Sequence, residues 1–156
     1  MAQRVIFHVD ANSAFLSWSA AHRVLVLHEE TDLREVPSVV AGDKASRHSI
    51  ILAKSAPAKK YGIHTGEPLF QALEKCPDLI IVPPDYNLYV EASRHFVEML
   101  RQFSPRVEQY SIDEAWVDMT GTQRIYGDPR LAAEQMRERI WNELGFTVNV
   151  GISTNK

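Results

Sequence analysis

The segment VEQYSIDEAWVDM, residues 107 to 119, constrains the fold more than any other part of the chain. Two runs of alternating apolar residues flank a short polar turn, the pattern of a β-hairpin. Its middle places Asp113 beside Glu114. Neighbouring strand residues point to opposite faces, so an adjacent acid pair does not suit a regular strand. A tight bend at SIDE would let both carboxylates lean toward the end of a neighbouring central strand.

That neighbour is expected near the N-terminus, where RVIFHVD is a short apolar run with β-branched residues that ends at Asp10. Asn12 and Ser13 offer an N-cap to a helix over AFLSWSAAHRVLVLH. SVVAG and IILA read as strands, and Ser55 caps a short helix over APAKKY, with Pro57 early in it and Gly62 after it. EPLFQALEKC reads as a helix, DLIIVPP as a strand, and YNLYVEASRHFVEMLRQFS as a long amphipathic helix. After the hairpin, TGTQRIYGD reads as a loop. PRLAAEQMRERIWNEL is a helix closed by Gly145, and FTVNVGIS is a final strand. With residues 14–78 set aside, this order is a split βαβ sheet with helices on one face, an α+β fold. Because Lys156 directly follows a strand, the chain is expected to be part of something longer.

Composition narrows the function classes. The 156 residues, 45% hydrophobic, suffice for one globular core. No apolar run approaches the roughly 18 residues of a membrane span, so no membrane partner is expected. The single cysteine, Cys76, permits neither an internal disulfide nor a cysteine-built zinc site, and suits a cytoplasmic location. The formal net charge of −3 runs against the positive balance of a nucleic-acid binder.

Asp10, Asp113 and Glu114 could form a cluster of three acids. Grouped carboxylates raise one another's pKa, and a divalent cation removes that cost. Mg²⁺ takes oxygen ligands, and acids on strand ends without histidine or cysteine suit phosphoryl transfer better than zinc hydrolysis. The same residues also permit a simpler reading, with Asp113 and Glu114 in a solvated turn and Asp10 as a helix cap competing with Asn12.

The stretches VDANSAF, AKKYGIHTGEP, SPRVEQYSIDEAWVDMTG and VGISTNK together resemble the Y-family translesion DNA polymerases of the UmuC or polymerase IV type. The motifs occur in the family's order and cover nearly the whole chain. The resemblance implies a ferredoxin-like palm over residues 1–13 and 79–156, and a small mixed fingers subdomain inserted over 14–78. Thumb and little-finger domains would follow Lys156. They would supply much of the DNA grip, which removes the objection raised by net charge.

For the site, the resemblance implies that Asp10, Asp113 and Glu114 are the catalytic metal-binding acids, with the Ala11 carbonyl as a further ligand. It implies two Mg²⁺ ions, with Mn²⁺ able to substitute. Phe15 matches the steric gate that excludes ribonucleotides. Ser13 and Ala14 offer first-turn N–H groups to the dNTP triphosphate, and Lys59 and Lys156 match groups that neutralise it. Ala56 and Lys59 stand where polymerase IV-like members carry tyrosine and arginine, and Ala53 where they carry a polar residue, a pattern that leans toward the UmuC-like branch. Lysine is a point charge where arginine would bind bidentately, so weaker nucleotide binding is expected.

The implied function is DNA-directed DNA synthesis in damage tolerance, with primer–template DNA and dNTPs as partners. Sliding-clamp or recombinase-type partners would engage the parts beyond Lys156. The competing reading is a catalytically inactive, polymerase-like accessory or scaffold protein of the DNA damage response. A nucleotide cyclase is disfavoured because no Gly-Gly-Asp-type hairpin occurs.

Overall fold

In the computed structural model, which describes residues 3–156, the apolar run after Arg4 forms β1 (Ile6–Ala11) and leads into α1 (Ala14–Leu25). β2 (Ser38–Ala41), β3 (Ile51–Lys54), α2 (Ala56–Lys59), α3 (Leu69–Lys75) and β4 (Ile80–Val82) follow. Then come α4 (Tyr86–Phe103), β5 (Val107–Gln109), β6 (Glu114–Asp118), α5 (Gln123–Tyr126), α6 (Pro129–Leu144) and β7 (Val148–Ser153). The segment read as a loop at TGTQRIYGD contains the single-turn helix α5, which the local polar composition does not announce.

The chain divides into two units. The first comprises the residues through Asn12 together with Tyr89–Lys156. Its sheet has the order β5-β6-β1-β7, with every neighbouring pair antiparallel. Strand alternation sends Phe7 and Val9 of β1 and Ala115 and Val117 of β6 to one face, where all four are fully buried. In the same unit, Phe96, Leu100 and Phe103 of α4 and Met136 and Ile140 of α6 are buried. Phe96 meets Phe146 edge-on at 5.8 Å between ring centroids. The βαββαβ order and the antiparallel sheet are the α+β arrangement expected from the sequence. Gly145, at φ 79°, closes α6 in the left-handed conformation, and its N–H donates to the carbonyls of Ile140 and Trp141.

The second unit is Ser13–Leu88. Its three-stranded sheet has the order β3-β2-β4, with β2 antiparallel to β3 and parallel to β4. Leu16 and Ala20 of α1 pack with Leu33, Val40 and Val82, while Ile63, Leu69 and Ala72 pack against Val39 and Ile51. Buried Ser55 caps α2 by accepting from the Ala58 N–H, and its hydroxyl donates to the Val36 carbonyl. The boundary expected at 78/79 therefore falls later, between Leu88 and Tyr89. The reason is pairing: β4 completes the sheet of β2, and its Val82 enters that core.

The turn between β1 and α1 also departs from expectation. Ser13 occupies the N-cap position of α1 at φ 44° and ψ 55°, and its side chain makes no capping hydrogen bond. Asn12 is held instead by Thr147, through N–H to carbonyl and through its amide to the hydroxyl, both at 3.0 Å. Tied there, the chain leaves the sheet abruptly, and Ser13 takes the left-handed kink.

Candidate active site

Asp10 is the penultimate residue of β1 and lies directly opposite Glu114, the first residue of β6. The Ala11 N–H donates to the Asp113 carbonyl at 2.9 Å, which fixes the Asp113 backbone beside the end of β1. Asp113 itself lies in the turn, outside the strand. The turn is closed by the Glu114 carbonyl, which accepts from the N–H groups of Tyr110 at 3.0 Å and Ser111 at 3.2 Å. The Ser111 hydroxyl lies 2.9 Å from both Asp113 Oδ1 and Glu114 Oε2. The bend thus turns two sequence-adjacent carboxylates toward one hydroxyl, which strand alternation would not do.

The face of the sheet opposite the helices carries this end of the site. His8, two residues before Asp10, is on the same face, and its Nε2 lies 3.4 Å from Glu114 Oε1. The His8 ring packs on Trp116, with centroids 4.6 Å apart. Both residues follow from the period of two, once Asp10 and Glu114 are placed on that face. Burial, then the neighbouring charges of Asp113 and Glu114, holds the Asp10 carboxyl above the ordinary carboxylate range, and His8 opposes this.

The donor set fits a hard divalent cation in kind, since it supplies carboxylate oxygens and no sulfur. The acids raise the pKa of Asp10, an excess of negative charge that such a cation would relieve. Among the described residues, however, no three or more His, Cys, Asp or Glu side chains are gathered closely enough to hold a metal ion. Uncompensated carboxylates repel, and Glu114 is drawn to His8 and Ser111.

The remaining candidate residues belong to other elements. Ser13, Ala14 and Phe15 begin α1 in the second unit, where the Phe15 ring meets Tyr86 edge-on at 6.2 Å and Trp18 at 6.4 Å. Lys59 ends α2 and is exposed. Lys156 follows β7, whose Ser153 pairs with Ile6, so by register it lies toward the opposite end of the sheet from Asp10. It forms an ion pair with Glu108 and lines a cavity of about 290 Å³ with Arg4, Arg106 and Trp116. No helix among the described residues is long and apolar enough to cross a membrane.

Comparison with known proteins identifies the family of the chain. Residues 9–156 match the model of the impB/mucB/samB family. The chain is 53% identical over 153 residues to a protein from Clostridium acetobutylicum named DNA polymerase IV, covering 98% of this chain and 38% of that one. A protein of the same name from Acetivibrio thermocellus is 39% identical over 154 residues, covering 99% of this chain and 37% of its own length. This chain therefore spans well under half the length of these relatives. Among solved structures, DinB from Sulfolobus solfataricus superimposes with a TM-score of 0.78 at 25% identity, over 97% of this chain and 42% of that one. A Y-family polymerase chimera, Dbh-Dpo4-Dbh, superimposes with a TM-score of 0.80 at 24% identity, over 97% of this chain and 43% of that one.

Proposed function

Because the chain belongs to the impB/mucB/samB family and carries the Y-family polymerase fold, we propose that it is the palm and fingers portion of a translesion DNA polymerase. The observation that carries this reading is the Asp10–Glu114 pair on adjacent strands, with Asp113 bent to the same hydroxyl as Glu114. In this reading the first unit is the palm and the second the fingers.

The reaction joins a primer 3′-hydroxyl to the α-phosphorus of a dNTP, forming a phosphodiester bond as the bond to pyrophosphate breaks. Asp10, Asp113 and Glu114, with the Ala11 carbonyl, would hold two Mg²⁺, with Mn²⁺ as a substitute. Bound there, such ions stabilise charge on the attacking and leaving oxygens of an in-line displacement. The chain's own residues bind and orient. The start of α1 at Ser13 and Ala14 offers backbone N–H groups and a positive dipole end to the triphosphate. Phe15, backed by Tyr86 and Trp18, presents a ring against the sugar that a 2′-hydroxyl would strike. Lys59 supplies positive charge to the phosphates, and Lys156 could do so only on leaving Glu108. Primer–template DNA is the macromolecular partner, and the cytoplasm is the expected location. Sliding-clamp or recombinase-type proteins are further partners in this reading.

The competing reading, an inactive accessory protein, draws on one observation: the acids are not gathered into a three-ligand group. Calorimetric titration with Mg²⁺ or Mn²⁺, in the presence and absence of dATP, separates the two. Nucleotide-dependent metal binding that Asp113→Ala abolishes is expected. Full-length protein that binds no metal, with or without nucleotide, would establish the accessory reading.

A further inference from the structure

We infer that Ser111 is a positioning residue that holds the Asp113 and Glu114 carboxylates together, and that Gln109 and Ser93 brace the turn carrying it. This inference rests on reading those two acids as metal-holding groups. A serine hydroxyl has a single proton, and here two carboxylate oxygens lie at the same 2.9 Å from it. Hydrogen bonds to ionised acceptors are among the stronger ones. The proton lowers the repulsion between two adjacent negative groups without cancelling either charge. A lysine or arginine in its place would compete with an incoming cation, whereas a neutral donor leaves the full charge available.

The hydroxyl is useful only if the turn is rigid, and the surrounding hydrogen bonds make it so. The Gln109 side-chain amide donates to the Ser111 carbonyl at 3.0 Å and to Ser93 Oγ at 3.1 Å. Ser93, buried on α4, donates in turn to the Ile112 carbonyl. The Ser111 N–H is used by the Glu114 carbonyl. Two successive carbonyls of the acid-bearing turn are thus anchored, one to the preceding strand and one to the long helix of the core. Removing such supporting hydrogen bonds around ligand groups typically weakens metal affinity by roughly ten- to a hundredfold.

The test uses the 156-residue chain with Mn²⁺ in the presence of dATP as the probe, comparing Ser111→Ala, Ser111→Thr and Gln109→Leu. Ser111→Ala is expected to weaken Mn²⁺ binding roughly ten- to a hundredfold, with Ser111→Thr restoring it because the hydroxyl is kept. Gln109→Leu should weaken it in the same direction, with melting temperatures little changed. Ser111→Ala that binds Mn²⁺ as tightly as the parent overturns the inference. If the parent binds no Mn²⁺ even with dATP present, the acids do not hold metal in this chain, and metal-free NMR decides the positioning role separately. Side-chain couplings of Asp113 and Glu114 that become rotamer-averaged in Ser111→Ala support it; unchanged couplings overturn it.

Discussion

Asp10 is the residue whose environment is least comfortable in the metal-free protein. Its carboxyl is held above the ordinary range, first by burial and then by Asp113 and Glu114. The folded state therefore binds a proton more readily than the unfolded chain, and stability falls as pH rises through the window between the two values. The penalty is complete above that window and absent below it. Asp10→Asn is thus expected to raise the melting temperature of metal-free protein at pH 7, with the gain vanishing below about pH 4. A gain that persists unchanged in acid would mean that charge is not its source. At Phe15 the prediction concerns selectivity: on the proposed polymerase reading, Phe15→Ala in the full-length protein should lower the preference for dNTP over ribonucleotide. A loss of roughly ten- to two-hundredfold is the range for single-group discrimination in a pocket, measurable by primer extension with each nucleotide.

At the scale of elements, the α6 cap and the α4 stripe make separable contributions. Gly145 sits at φ 79°, and its N–H serves two carbonyls of α6. An alanine there keeps those bonds but meets the left-handed penalty, so Gly145→Ala should cost about 1–2 kcal/mol by urea denaturation. Phe96 is fully buried against Phe146, and Phe96→Ala should cost about 3–5 kcal/mol through lost burial and the cavity left behind. Equal losses from the two changes would argue that α4 is less tightly packed than its buried stripe indicates.

For the molecule as a whole, charge bears on the proposed polymerase reading, in which this portion does not grip DNA by itself. With a formal net charge of −3, the 156-residue chain should bind primer–template no more tightly than about 1 µM at physiological salt. Fluorescence anisotropy checks this, and nanomolar binding would require a basic surface that the composition does not suggest. Much of the architecture was legible in the chain. A short apolar, β-branched run marked β1, alternation marked the hairpin strand β6, three-to-four spacing marked α4, and Gly145 marked the end of α6, because these signals are local. The bend was legible too, since adjacent carboxylates contradict a regular strand, and Asp113 lies outside β6. Three matters were decided only by tertiary structure. β4 joined β2, which moved the unit boundary to Leu88, because strand partnership depends on which sheet edge is open. Asn12 bonded Thr147 rather than capping α1, because a partner 135 residues away outcompeted the local one. Ser111 came to stand between two carboxylates, with Gln109 and Ser93 behind it, because a bend and a helix from distant sequence converge there. Local periodicity determines which face each residue takes, whereas only the folded chain determines which faces meet.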